Sequence, residues 1–135
     1  MRISMLLGLL ALSGCSLLLP TNADSGVCTL EFRTYAVQVV DAQGMPLDGL
    51  EAASIVLRTG DVLASDAGAP PAQEGRYLVA TDADRGAIRR SGDVVRFTAE
   101  GPGLRAEATF EFYDDGCHVV QRSGPAQVVA EPAGG

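Results

Sequence analysis

The segment from Leu104 to Phe112 alternates apolar and polar side chains without an exception. Positions 104, 106, 108, 110 and 112 are apolar, and positions 105, 107, 109 and 111 are polar. A period of two places every apolar side chain on one face of a β-strand, whereas a helix would scatter them around its circumference. The pattern therefore predicts a half-buried strand that lies in a sheet covering a core.

A second alternating run precedes this strand. Val95, Phe97 and Ala99 alternate with Arg96 and Thr98. Residues 100–103, with the sequence Glu-Gly-Pro-Gly, separate the two runs and have the composition of a turn. The two runs and the turn together predict an antiparallel hairpin.

Weaker strand patterns occur at residues 30–40, 53–58, 62–64, 77–81 and 128–130. The apolar phase of the first pattern slips between Phe32 and Tyr35, which predicts a bulge or a break. Residues 65–75 and 81–92 are predicted as loops, where recognition often occurs, although solvated surface is the alternative. About seven short strands punctuated by Gly and Pro predict an all-β fold, an antiparallel β-sandwich.

The N-terminus has the layout of a signal peptide. Arg2 is followed by an apolar run over residues 5–12, and polar sequence begins soon after. The alternative is an uncleaved transmembrane or signal-anchor helix. Such a helix needs about 20 apolar residues, but residues 13–16 and then Pro20 interrupt the run. We therefore predict a signal-peptide helix over residues 1–14.

Leu12-Ser13-Gly14-Cys15 resembles the lipobox of bacterial lipoproteins. The resemblance implies cleavage between Gly14 and Cys15 and attachment of membrane lipid to the Cys15 thiol. Several acyl chains would hold such a protein durably, since a single chain binds a membrane only reversibly. Ser16 follows Cys15, which in similar families implies export to the outer membrane. The expected location is therefore the cell envelope, with the protein held by its lipid anchor.

The chain after the signal peptide is expected to have three parts. Residues 15–27 are the lipidated N-terminus and a flexible tether, because this stretch has few groups to bury and many turn formers. Residues 28–130 are the β-sandwich domain, large enough for a single core. Residues 131–135 are expected to be a flexible tail.

The charge of the chain argues against a nucleic-acid partner. The full chain carries 10 basic and 17 acidic side chains, and every basic one is Arg. Removal of residues 1–14 leaves nine Arg against 17 acids, a formal charge of −8. Phosphate neutralisation supplies most nucleic-acid affinity, and this chain has neither a basic cluster nor an aromatic platform.

The three cysteines indicate an oxidising compartment. If lipid occupies Cys15, Cys28 and Cys117 remain, and we predict that they form a disulfide. Two separately buried thiols are the alternative. The spacing of these cysteines fits no zinc pattern, and the chain has one histidine. We therefore predict neither a metal nor another cofactor.

No constellation of residues predicts catalysis. His118 is the single histidine, and it neighbours Cys117, so we expect a structural role rather than general-base chemistry. A Ser-His-Asp arrangement would have to be built on this residue. Acidic turns at residues 82–84 and 114–116, which contain Asp82, Asp84, Asp114 and Asp115, offer oxygen ligands to calcium as a minor alternative.

Residues 41–49, with the sequence DAQGMPLDG, resemble a corner found in bacterial domains of the carboxypeptidase regulatory-like, transthyretin-like type. In such a corner Asp41 caps a turn, Gly44 adopts a positive φ, and Pro46 has its φ preset. The Gly-x-Tyr sequence at residues 75–77 and the Cys-His-Val sequence at residues 117–119 resemble further elements of that family. The sequence departs from the family pattern in two places. Residues 50–53 lengthen the approach to the second strand, and the Pro-Ala loop at residues 65–75 replaces a tighter connection.

The resemblance implies a noncatalytic Ig-like or transthyretin-like sandwich that serves as a spacer, a stabiliser or a binding surface. We therefore expect a membrane-anchored envelope lipoprotein whose β-sandwich contacts a protein or a glycan. One alternative is an accessory subunit of an envelope transport or assembly complex. Another is a small enzyme or a calcium-dependent factor.

Overall fold

The structure is a computed structural model that describes residues 27–63 and 73–134. These residues form eight strands and one 3₁₀ turn at Asp82–Asp84. The predicted signal peptide, the lipobox with Cys15, nearly all of the predicted tether and most of the loop at 65–75 lie outside the described residues. The strands are β1 (Thr34–Val40), β2 (Glu51–Val56), β3 (Arg76–Thr81), β4 (Asp93–Gly101), β5 (Leu104–Asp114), β6 (Val119–Ser123), β7 (Gln127–Val129) and β8 (Glu131–Pro132).

The strands form two sheets, which confirms the predicted all-β sandwich. The first sheet has the order β3-β1-β7, and the second has the order β2-β4-β5-β6, with β8 also pairing with β5. All pairings are antiparallel except that of β1 with β7, which is parallel. This parallel pair departs from the purely antiparallel prediction. It arises because the chain leaves the second sheet after β6 and joins the first sheet at β7.

The hairpin of β4 and β5 is confirmed. The two strands pair without a register shift from Asp93 opposite Phe112 to Gly101 opposite Leu104, and residues 102–103 form the turn. Along β5, Ala106, Phe110 and Phe112 are buried, whereas positions 105, 107 and 109 are exposed. The alternation therefore separates a core face from a solvent face, as the sequence predicts.

The core lies between the two sheets and includes a small group of aromatic rings. Tyr35 on β1 meets Phe112 on β5 edge to face, with ring centroids 5.3 Å apart. Tyr77 on β3 packs against Phe97 on β4 at 6.4 Å. The hydroxyl of Tyr77 also donates a hydrogen bond to the carbonyl of Leu47 at 2.7 Å. These contacts join the two sheets and fix the chain that leads into β2.

The corner after β1 has the local geometry that its sequence predicts. Asp41 Oδ1 accepts hydrogen bonds from the backbone N–H groups of Gln43 and Met45. Gly44 adopts a φ of 81°. At the start of β3, Gly75 has a φ of 69°, and a Cβ at this position would lie 2.5 Å from the carbonyl oxygen of Val39. Both glycines are therefore required by the backbone.

Several strand boundaries differ from those predicted. β1 begins at Thr34 rather than residue 30, and its pairing with β3 shifts register between Tyr35 and Ala36. The predicted irregularity is present, but it lies inside β1, just after Tyr35, and residues 30–33 precede the strand. The predicted strand at residues 62–64 is reduced, in the described part, to one bridge between Val62 and Ile55.

Two strands were not predicted. β6 was missed because its two apolar residues, Val119 and Val120, are followed by three polar ones. β8 contains Pro132 and occupies an edge, where proline is tolerated. Residues 131 and 132, which lie in the predicted tail, pair with Arg105 and Leu104.

The two faces of β5 predict unequal costs for neighbouring substitutions. Phe110→Ala should lower the free energy of unfolding by about 3–5 kcal/mol, because it leaves a cavity in the core. Thr109→Ala should cost about 1 kcal/mol or less, since this side chain is exposed. Ala108→Asp should likewise cost more than Thr109→Asp. Urea unfolding measures all four changes, and equal costs at the two faces would contradict the strand register.

Candidate functional site

Many of the side-chain bonds of the described residues lie where β3 and β5 end and where β1 and β4 begin. We call this region the disulfide end, because Cys28 and Cys117 are bonded there. Cys28 precedes β1, Cys117 lies between β5 and β6, and their Cα atoms are 5.2 Å apart. The predicted disulfide is therefore confirmed. It closes a loop of 89 residues, and the lost entropy of the unfolded chain corresponds to about 4–5 kcal/mol of stabilisation.

His118 is buried beside this disulfide and bonds at both ring nitrogens. Its Nδ1 lies 2.7 Å from Asp82 Oδ2, and its Nε2 lies 2.9 Å from Thr29 Oγ1. A carboxylate can only accept, so Nδ1 donates to Asp82; in the neutral ring Nε2 then accepts the proton of the Thr29 hydroxyl. The result is a hydrogen-bonded chain of hydroxyl, imidazole and carboxylate.

The Asp82 carboxylate also accepts two backbone hydrogen bonds. The N–H of Arg33 donates to Oδ2 and the N–H of Val119 donates to Oδ1, each at 2.8 Å. Burial raises the pKa of Asp82, but the Arg33 N–H, the His118 ring and the Val119 N–H together lower that pKa below its ordinary value. The carboxylate is therefore ionised at neutral pH, and it joins the segment before β1 to the loop before β6.

A second carboxylate shapes the loop that carries His118. Asp115 Oδ1 accepts the backbone N–H groups of His118 at 2.7 Å and Cys117 at 2.8 Å. These two bonds lower the pKa of Asp115. Asp115 thus holds the loop backbone at Cys117 and His118, and the His118 ring is held by its own bonds to Asp82 and Thr29.

The network has the order of groups found in a Ser-His-Asp triad, with Thr29 in the place of the serine. Such an order can polarise a hydroxyl. The same contacts also have a purely structural effect, because Asp82 and His118 hold the N-terminal segment against the domain. The sequence correctly predicted that His118 lies beside the disulfide, and its structural role stays a prediction.

A buried carboxylate, Asp93, begins β4 next to a shallow groove. Two of its bonds come from Arg58, with Nε 2.7 Å from Oδ1 and the Nη2 atom 3.1 Å from Oδ2. Arg89 adds its backbone N–H at 2.9 Å and its guanidinium. The Arg58 guanidinium holds the pKa of Asp93 far below its usual range against the opposing effect of burial, and Arg89 lowers the pKa further.

The groove beside Asp93 has a volume of about 440 Å³. Its lining contains none of the three residues of the hydrogen-bonded chain, Thr29, His118 and Asp82, which we call the Thr29 network. The wall combines charged side chains with exposed apolar ones: Leu57, Arg58, Arg89, Gly92, Asp93, Val94 and Glu111. Asp93 holds both arginines, so its single negative charge offsets one of their two positive charges.

The acidic turns proposed for calcium are occupied by internal contacts. Asp82 bonds His118, Asp84 accepts the N–H of Thr81 to cap the 3₁₀ turn, and Asp114 pairs with Arg85. Within residues 27–63 and 73–134, no group of three or more His, Cys, Asp or Glu side chains is arranged to hold a metal ion. The charged stretch at 81–92 therefore contributes mainly bonds within the domain.

Sequence reasoning missed Thr29, the pairing of Asp82 with His118, and the Asp93 cluster. Asp93 did leave a signal, because it has the same phase as the inward residues Val95 and Phe97 of its strand. A carboxylate at a core-facing position needs charged partners. The Thr29 network left no such pattern, since its members are separated by 89 and 36 positions.

Comparisons of the chain with protein-family models, with curated proteins and with solved structures found no match. The resemblance to carboxypeptidase regulatory-like domains therefore stays a prediction. Among the described residues, no helix has the length and apolar character needed to cross a membrane.

The depressed pKa of Asp93 predicts a loss of stability in acid. A folded-state pKa below that of the unfolded chain, about 3.9, contributes stability that is complete above about pH 5 and is lost as the pH falls through the folded value. Asp93→Asn should therefore cost about 1–3 kcal/mol at pH 7 and make the acid decline shallower. Urea unfolding at pH 7 and pH 3 measures this difference.

The matched control for this variant is Glu100→Gln, since Glu100 is more than half exposed in its pair with Arg105. It should change the free energy of unfolding by no more than about 0.5 kcal/mol. An Asp93→Asn protein with the wild-type acid dependence would show that this carboxylate is not a source of pH-dependent stability.

Proposed function

We propose that this protein is a lipid-anchored lipoprotein of a bacterial cell envelope and that its β-sandwich is a noncatalytic module for structural support or binding. The observation that carries the proposal is the use of the three cysteines. Cys28 and Cys117 are bonded to each other, so Cys15 is left over, and it stands at the end of the lipobox-like sequence. A disulfide also fits export to an oxidising compartment.

The position of the disulfide suits an anchored protein. Cys28 lies before β1, and its bond to Cys117 attaches the N-terminal segment to the loop between β5 and β6. Force on an anchor at Cys15 would pass through this covalent bond to the second sheet. A segment held by hydrogen bonds alone would be easier to detach.

The noncatalytic part of the proposal rests on how the polar groups are used. Asp82 and His118 hold the segment before β1 against the start of β6. Neither residue lines the groove beside Asp93. The partner we propose is an envelope protein or glycan. An accessory role in an envelope transport or assembly complex would use the same anchored sandwich.

The lipid anchor predicts a specific effect of Cys15→Ala. The variant should stay uncleaved after Gly14 and should incorporate no fatty acid, because the thiol that receives the lipid is gone. Metabolic labelling with an alkyne fatty acid, together with the mass of the purified protein, measures both results. Ser25→Ala is the control and should be labelled like the wild type. Normal labelling of Cys15→Ala would overturn the lipoprotein assignment.

A second candidate function is favoured by one observation, the hydrogen-bonded chain of Thr29, His118 and Asp82. Its order of groups would suit an enzyme that transfers an acyl group through the Thr29 hydroxyl. We rank this candidate below the noncatalytic one, because the imidazole is buried and the carboxylate also carries two backbone bonds.

The two candidates predict different effects of His118→Gln and Thr29→Val. In a noncatalytic protein, both variants should retain the cellular phenotype when expression is matched. Their stability should fall by about 1–3 kcal/mol for the buried His118 and by less for Thr29, whose residue is exposed. Complementation of a deletion strain, with unfolding curves for each protein, separates the effects. Loss of the phenotype in both variants with folding and disulfide intact would favour the enzyme.

A further inference from the structure

The segment before β1 displays apolar side chains to solvent. Val27, Leu30 and Phe32 are 93%, 105% and 61% exposed. We call these three residues the apolar strip. Single exposed apolar residues are ordinary, but three within six consecutive residues form an apolar surface that a second apolar phase can cover.

The outward orientation of the strip follows from the contacts that hold the segment. Cys28 is bonded to Cys117, Thr29 bonds His118, and the backbone of Arg33 both donates to and accepts from Asp82. These residues face the domain. Val27, Leu30 and Phe32 lie between and beside them, so the same contacts that fix the segment also hold the strip away from the core.

We propose that the apolar strip inserts into the boundary between headgroups and acyl chains of the membrane that carries the lipid anchor. This proposal rests on the proposed lipidation of Cys15. Twelve peptide bonds separate Cys15 from Val27, so the two residues can be at most about 40 Å apart. The strip is thus tethered within about 40 Å of the anchor. Leu and Phe side chains are well suited to that boundary.

The charge of the protein favours this apolar contact over an electrostatic one. The chain after residue 14 carries a formal charge of −8, so anionic lipids would repel it as a whole. Contact through Leu30 and Phe32 does not depend on lipid charge. The contact would also orient the domain, with the disulfide end toward the lipid and the corner at residues 41–45 away from it.

The absence of tryptophan from the sequence makes the contact measurable with single reporters. Phe32→Trp places an indole in the strip, and Met45→Trp, at a position that is 62% exposed in the corner after β1, is the matched control. Each full-length lipoprotein is processed in cells, purified and reconstituted into phosphatidylcholine vesicles with or without brominated acyl chains. Insertion should shift the Phe32→Trp emission to the blue and let bromine quench it about twofold.

The emission of Met45→Trp should be the same in both vesicle types. Both variants should float with the vesicles and keep the disulfide, because the substituted positions are exposed. Floating protein in which Phe32→Trp is not quenched, or in which both reporters are quenched equally, would overturn the membrane contact and leave the lipid anchor standing. Protein that carries no acyl chain and does not float would overturn the anchor and the contact together.

Discussion

The carboxylate of Asp82 is the interaction on which the disulfide end depends. It accepts hydrogen bonds from the backbone of Arg33, the backbone of Val119 and the ring of His118, and thereby joins segments from both sheets. A largely buried charge of this kind is costly unless hydrogen-bond donors compensate it. The disulfide between Cys28 and Cys117 joins the same two segments covalently.

The arrangement of strands could be predicted where the sequence alternates and could not where pairing depends on distant residues. The run from Leu104 to Phe112 predicts its strand and its buried face, because the period of two is complete. β8 and the parallel pairing of β1 with β7 depend on the path of the chain after β6. No local pattern in the sequence predicts that path. The even count of cysteines likewise predicted the disulfide, since the pairing required only composition and compartment.

The polar network was less predictable, for a physical reason. Asp82 and His118 are 36 positions apart in the sequence and are brought together by the fold. A hydrogen bond between such distant positions imposes no periodicity on the sequence. Asp93 is different, because it interrupts an otherwise apolar phase on β4 and is compensated by Arg58 and Arg89. A charged residue in a core-facing phase therefore indicates an ion-pair site, although it does not identify the partners.

The contacts of the segment before β1 determine how an anchored form of this protein would carry load. Residues 27–33 form no strand, and besides the covalent bond of Cys28 they are held by side-chain and backbone bonds to His118 and Asp82. Without the disulfide, tension from the N-terminus would break those hydrogen bonds one after another until it reached β1. With the disulfide, tension bypasses them and acts at Cys117, beside the long pairing of β5 with β4. In the anchored protein, the bond would therefore keep the Asp82 network intact under load as well as stabilise the fold.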